Sequence, residues 1–368
     1  MPRDTTLRPP VLPGYTHLRP LGQGGFADVF LYQQDMPRRQ VAVKVLHRRP
    51  GDAALHALAA EADVMAALSA HPSILTLHEA SVSADGRPYM VAEYCPGSLA
   101  NRYRSQVIPV AEVLDIGVHL GSAVEAAHRI GMLHRDIKPS NILVTAFGHP
   151  VLADFGVATA VTTGRGDDVA LSPPWSAPEV VDGSSSGTVA TDVWSIAATL
   201  YTLLAGHSPF AEPGRRLDAD QLRARIVKAR YRPTGRADVP DALERVLAGG
   251  MRRLPGDRFG SAREVAEALQ EVQRSLGGPV TPLEIPGDAW VEATRATDET
   301  PVVERLPRQA TVAVDGRRRA RGEASRTDSS LDADEGRGWS RARTLGWSAA
   351  GVAVLGGGAA AVLILAGR

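Results

Sequence analysis

Residues able to do chemistry gather near the middle of the chain. His134-Arg135-Asp136-Ile137-Lys138-Pro139-Ser140-Asn141 is followed, thirteen residues beyond Asn141, by Asp154-Phe155-Gly156. This span supplies a carboxylate that can orient an alcohol, a lysine two residues further on, and two oxygen donors suited to magnesium. Together they suit the transfer of a phosphoryl group from ATP to a hydroxyl. Short motifs such as Asp-Phe-Gly are common alone; the spacing to Asp136 and Asn141 makes the set specific.

Two upstream features fit that chemistry. Leu21-Gly22-Gln23-Gly24-Gly25-Phe26-Ala27-Asp28-Val29 reads as a glycine-rich turn between short strands, where the backbone can approach phosphates closely. It is not a Walker loop, because no lysine directly follows. Lys44 instead lies fifteen residues beyond Val29, in Ala42-Val43-Lys44-Val45. A lysine in such an apolar run is costly to bury unpaired, and Glu61 on the next expected helix is its expected partner. The bland alternative is a surface lysine on an edge strand.

These residues need elements to position them. From about Tyr15 to Leu46 the pattern is strand-like, with Val41 to Leu46 the densest run. Ala53 to Leu68 reads as a helix, and Ser73 to Ala92 return to strands with a hairpin turn at Asp85-Gly86. Beyond Gly97 the chain is mostly helical, most clearly over Val110 to His128, Val189 to Leu204, Gln221 to Lys228 and Ala262 to Leu276. A small sheet-rich part before a larger helical part predicts two unequal α+β lobes with a cleft between them.

Over roughly Pro13 to Leu276 the chain resembles the eukaryotic-type (Hanks-type) protein kinases, close to the bacterial serine/threonine branch. The resemblance implies a bilobal protein-kinase fold (N-lobe 13–95, C-lobe 96–276) using ATP with Mg2+, or Mn2+. It implies that Leu21, Gly22, Gly24, Gly25, Phe26, Val29, Ala42, Ala92, Glu93, Cys95 and Leu143 line the nucleotide site. Lys44, held by Glu61, pairs with the α and β phosphates. Asp136 matches the catalytic aspartate, Lys138 the residue that neutralises the moving phosphoryl group, and Asn141 and Asp154 the metal ligands. Ala27 stands where a third glycine is usual. Ala92 stands at the gatekeeper position, and its methyl group leaves space behind the adenine.

The same resemblance assigns supporting roles. Glu179 in Ala177-Pro178-Glu179 pairs with Arg258, since a buried carboxylate there needs a cation. Asp192 opens the helix that holds the catalytic loop. Met65, Leu77, His134 and Phe155 form an apolar stack between the lobes, with His134 structural rather than acid–base. Ser172 keeps the hydroxyl of the family's threonine, although Leu171 replaces the usual glycine beside it. Arg135 is expected to meet a phosphate on the activation segment. Thr159, Thr162, Thr163 and Ser172 lie in that segment, and Thr162 and Thr163 are the candidate autophosphorylation sites.

The remaining segments add context. Charge is balanced at 41 basic against 41 acidic residues, giving no reason to invoke nucleic acid. Cys95 is the single cysteine, so no intramolecular disulfide forms. Residues 1–12 have no apolar core and read as a flexible N-terminus rather than a signal peptide. Residues 277–343 are polar and mixed in charge, and read as a disordered cytoplasmic linker. That linker holds a basic knot at 317–321 and threonines 297, 300, 311 and 327 that phosphothreonine-binding proteins could read. Residues 344–367 carry one arginine-flanked uncharged run, expected to be a single-pass transmembrane helix with the kinase domain on the cytoplasmic side of the cell membrane. The expected activity is membrane-tethered transfer of the ATP γ-phosphoryl group to protein Ser/Thr hydroxyls, with a transient homodimer for trans-autophosphorylation. The alternative is a pseudokinase scaffold at the membrane.

Overall fold

The computed structural model describes residues 8–24, 27–47, 62–63, 65–155 and 172–287. Gly25, Phe26, Glu61, Thr159, Thr162 and Thr163 lie outside the described residues, as do the tail threonines and the basic knot at 317–321.

Alternating side chains build the N-terminal sheet. Strands β1 (Tyr15–Gln23), β2 (Ala27–Gln34), β3 (Arg39–Leu46), β4 (Leu77–Val82) and β5 (Pro88–Glu93) form one antiparallel sheet in the order β1-β2-β3-β5-β4. Successive residues of a strand face opposite sides. Phe30, Tyr32, Val41, Val43, Val45, Tyr89 and Val91 therefore share one buried face, capped by Leu12. The same period places Val29, Ala42, Lys44 and Ala92 on the other face, toward the second lobe. Register pairs Gly22 with Val29, Val29 with Lys44, and Ala42 with Ala92.

The helical lobe follows. A short sheet of β6 (Gly97–Ser98), β7 (Ile142–Val144) and β8 (Pro150–Leu152) lies beyond the hinge. The helices are α1 (Leu99–Ser105), α2 (Val110–Arg129), α3 (Pro178–Val181), α4 (Val189–Ala205), α5 (Ala219–Lys228), α6 (Asp241–Gly250) and α7 (Ala262–Ser275). The four expected helices of this lobe form within two residues of their expected ends. Helix α6 was not singled out, because its closing Gly249-Gly250 pair masks the pattern. Gly250 is required by packing: a Cβ there would lie 2.6 Å from Ala197 Cβ of α4. Described residues between 62 and 68 are helical.

Two corrections concern the C-terminal side. The chain does not leave the domain after α7. Thr281 is buried and donates from Oγ1 to Asp115 Oδ1 at 2.6 Å, Gln270 Nε2 donates to Thr281 O at 2.7 Å, and Arg129 donates to Pro286 O at 2.9 Å. Residues 277–287 thus form a strap across α2 and α7, where a linker was expected from 277. Its polar composition hid this, because the strap is held by hydrogen bonds more than by apolar periodicity.

The second correction concerns the membrane. Among the described residues no helix is long and apolar enough to cross one. Helix α2 has the length, at 20 residues, but carries Glu112, Asp115, Glu125 and Arg129. Helix α4 is apolar but 17 residues long and buried inside the lobe. The expected span at 344–367 lies outside the described residues. The described residues form a bilobal α+β fold, and membrane tethering, the single-pass location and the membrane partner are withdrawn.

Close helix contact sets one test. A Cβ on Gly121 of α2 would meet Ala266 Cβ of α7 at 2.8 Å and the Ala262 carbonyl oxygen at 3.0 Å. Alanine should gain about 0.5–1 kcal/mol of helix propensity but cost about 1–3 kcal/mol by overpacking against backbone. The Gly121→Ala variant is expected to unfold at lower urea concentration than the parent; a higher midpoint would show that the two helices can separate freely.

Candidate active site

The loop 134–141 is held from below by α4. Thr191, Asp192, Ser195, Thr199 and Thr202 are all buried on this helix, so each polar group needs a partner. Asp192 Oδ2 accepts from the His134 backbone N–H at 2.9 Å and faces His128 Nε2 at 2.8 Å; Oδ1 accepts from the Arg135 N–H at 2.9 Å. Thr199 Oγ1 donates to Ile137 O at 3.2 Å. Burial by itself would raise the Asp192 carboxyl, but its bonds and attraction to His128 and His134 outweigh that and bring it below the ordinary 3.8.

The loop thus fixed brings the sequence-predicted residues together. Lys138 Nζ lies 2.7 Å from Asp136 Oδ2 and donates to Ser172 Oγ at 2.8 Å. Asn141 Nδ2 donates to Asp136 O at 2.8 Å and to Asp136 Oδ2 at 3.1 Å, which turns its carboxamide oxygen away from Asp136. Across the cleft Lys44 Nζ meets Asp154 Oδ1 at 2.5 Å. Lys44 therefore pairs with Asp154 here, while its expected partner Glu61 is outside the described residues. The Asp154 side chain keeps 47% of its surface open to the cleft, although it lies deep in the domain. That crowding favours the neutral acid; the charge and hydrogen bond of Lys44 prevail and lower its pKa.

Backbone conformation adds something no residue type announced. Arg135 (φ 67°) and Asp154 (φ 63°) both adopt the left-handed region. Non-glycine residues there are strained, and such strain concentrates at functional sites. The Asp192 bond to the Arg135 N–H holds one of the two. The Arg135 side chain runs beside Gly187, where a Cβ would meet its Nε at 3.3 Å.

The surrounding shell is also placed. His134 is fully buried, and burial pushes its pKa down; it lies 4.5 Å from the Phe155 ring, and Met65, Leu77 and Phe155 share one core cluster. Arg258, with no side-chain exposure, binds both Glu179 oxygens at 2.7 and 2.8 Å and stacks over Trp194 at 5.0 Å. Such a bidentate pair is strong where solvent is absent. Sequence reading missed how α4 secures the segment after Ser172. Trp175 Nε1 donates to Thr202 Oγ1 at 3.0 Å, and Ser195 Oγ reaches Trp175 O at 2.9 Å. Buried hydroxyls spaced along an otherwise apolar helix were the available signal.

On the nucleotide side, Leu21, Val29, Ala42, Ala92 and Leu143 are half-buried, and Gly22 and Gly24 are exposed at the loop. Gly24 N donates to Ala27 O at 2.9 Å, closing the loop. Glu93 N donates to Thr76 O at 2.9 Å, tying the hinge to the segment before β4. Cys95 lies just beyond; burial and then Glu93 push its thiol up to about 12. The half-buried apolar face suits a planar base. The open Asp154 carboxylate and the Asn141 carboxamide oxygen suit a hard divalent ion.

A two-lobed fold with lysine, aspartates and asparagine converging on the interlobe cleft is the arrangement of the protein-kinase class. Residues 15–270 match the protein kinase domain family, and the chain belongs to that family. It is 39% identical over 296 residues to the serine/threonine-protein kinase PknK of Mycobacterium tuberculosis, covering 77% of this chain and 26% of that protein. The probable serine/threonine-protein kinase PknB of Lactococcus lactis is 29% identical over 302 residues, covering 78% of this chain and 45% of that one. The chain thus spans about a quarter of the length of the PknK relatives. The crystal structure of a single-site mutant of the M. tuberculosis PknI kinase domain aligns with TM-score 0.53 and 30% identity over 72% of this chain and 98% of that one.

Acid exposes the role of Asp192. Its lowered pKa means that its stabilisation is complete above the unfolded-state value of about 3.9 and is lost as pH falls through the lower folded-state value. Asp192→Asn should cost about 2–3 kcal/mol at neutral pH. In urea unfolding, the gap to the parent should hold from pH 7 to pH 5 and shrink near pH 3.5. A gap that widens in acid would contradict the assignment.

Proposed function

We propose that this chain is a serine/threonine protein kinase that transfers the γ-phosphoryl group of ATP to protein Ser/Thr hydroxyls. One observation carries the reading: Lys138 bridges Asp136 and Ser172 at 2.7 and 2.8 Å, opposite the Lys44–Asp154 pair at 2.5 Å. Family membership and the likeness to serine/threonine kinases support it.

Asp154 and Asn141 would hold magnesium, with Mn2+ the alternative ion. Lys44 would leave Asp154 to contact the α and β phosphates, with Glu61 as its partner. The apolar face formed by Leu21, Val29, Ala42, Ala92 and Leu143 would take the adenine, with backbone of Glu93 and Cys95 at the hinge and Gly22, Gly24, Gly25 and Phe26 over the phosphates. Magnesium supplies charge neutralisation of the phosphates when bound. Asp136 orients the acceptor hydroxyl. The hydroxyl oxygen bonds to the γ-phosphorus, the bond to the β–γ bridging oxygen breaks, ADP leaves, and the hydroxyl proton passes to Asp136. Lys138 offsets charge on the transferring group, and Ser172 holds Lys138 in place. Protein acceptors follow from the intact segment running from Ser172 through Glu179.

Activation by phosphate at Thr162 or Thr163, read by Arg135, belongs to the same proposal. A transient homodimer would serve trans-phosphorylation, and phosphothreonine-binding proteins are its downstream partners.

Replacing Asp136 by Asn removes the proton acceptor while keeping size and shape. Transfer from Mg-ATP to a protein acceptor should fall about 100- to 10,000-fold, with nucleotide affinity nearly unchanged. Equal activity in parent and variant would remove Asp136 from the proton-acceptor role, and no activity in the parent would favour a scaffold in place of an enzyme.

A further inference from the structure

A second polar centre is built from residues outside the phosphotransfer set. His119 comes from the middle of α2, His149 from the turn before β8, and Glu284 from the strap after α7. One ligand-capable atom of each lies within 4.8 Å of the others. His119 Nδ1 and Glu284 Oε2 are 3.5 Å apart. Tetrahedral zinc, with bonds of about 2.0–2.1 Å, needs neighbouring ligand atoms roughly 3.3 Å apart. The two imidazoles stand at 67° with centroids 4.4 Å apart, so both can aim nitrogens at one point without stacking.

A single hydroxyl joins the three groups. The buried Ser73 hydroxyl touches all three groups: Glu284 Oε2 at 2.9 Å, His149 Nε2 at 3.1 Å and His119 Nδ1 at 3.2 Å. The hydroxyl donates to Glu284 and can accept from N–H groups on both imidazoles; a metal ion would instead take the imidazole lone pairs and the carboxylate, leaving Ser73 to orient Glu284. An outer support is already built. The other nitrogen of His119, Nε2, faces Asp115 Oδ1 at 3.5 Å, and Asp115 accepts from Thr281 Oγ1 at 2.6 Å. A carboxylate behind a histidine is the usual companion of a metal-ligating imidazole.

We propose that His119, His149 and Glu284 form a zinc site, with Asp115 and Ser73 as positioning residues. Two imidazole nitrogens and one carboxylate favour zinc over magnesium or calcium, so this site is chemically distinct from the all-oxygen pair Asn141 and Asp154. Half-exposed His149 and Glu284 give the ion a way in. Zinc here pins the strap to α2 and to the start of β8, the strand that runs on to Asp154. The inference does not depend on the proposed kinase activity.

The test uses the full chain, stripped with chelator and titrated with Zn2+ alone and with Co2+ alone. One equivalent should bind above the background of the remaining histidines and raise the thermal midpoint. His149→Ala and Glu284→Gln should each lose that equivalent and the midpoint shift. Asp115→Asn should weaken binding about 10- to 100-fold. His149→Cys should restore zinc binding and give the cobalt form a thiolate charge-transfer band that the parent lacks. Far-ultraviolet dichroism matched to the parent verifies that each variant is folded. No zinc equivalent in the parent, or an equivalent that survives both His149→Ala and Glu284→Gln, would overturn the proposal.

Discussion

One buried carboxylate organises the molecule's chemistry. Asp192 has no exposed surface, and a charge in that position is stable only if every lone pair it presents has a partner. Its donors are the backbone N–H groups of His134 and Arg135 and the ring of His128. Meeting the needs of Asp192 therefore fixes the loop that carries Asp136, Lys138 and Asn141. The left-handed Arg135 backbone is the conformational cost of that arrangement. The bonds within the loop, such as Asn141 Nδ2 to Asp136 O, then shape it further.

The opposite wall of the cleft follows from a simpler rule. Strand alternation on β3 sends Val41, Val43 and Val45 into the N-lobe core and leaves Ala42 and Lys44 on the cleft side. Pairing with β2 and β5 then brings Val29 and Ala92 alongside. Lys44 reaches Asp154 from there, so an ion pair spans the two lobes. The Glu179–Arg258 pair does comparable work further down, holding the segment after Ser172 against the base of α4, where Arg258 also caps the Ala190 carbonyl.

Much of this was legible in the residues. The apolar run around Lys44 marked it as a strand lysine needing a partner, and the spacing of Asp136, Lys138, Asn141 and Asp154 pointed to a common site. The Glu179–Arg258 pair followed from resemblance and is present as a bidentate contact. Other features had no local signature. The type of Arg135 gives no sign of a positive φ, which the tertiary bond from its N–H to Asp192 holds. The His128 contact with Asp192 joins residues 64 apart. The strap at 277–287 was read as linker because its docking rests on scattered polar residues such as Thr281 and Glu284, which periodicity cannot detect. The expected membrane helix was an inference from composition alone, and no described helix has that character.

The central claim is that Asp192 locks the catalytic loop from beneath, and amide hydrogen exchange of the full chain tests it most directly. The His134 and Arg135 N–H groups should exchange as slowly as the buried amides of α2 and α4, opening only when the whole lobe unfolds. Exchange of these two amides at the rate of exposed loop amides, with α4 still protected, would contradict the account.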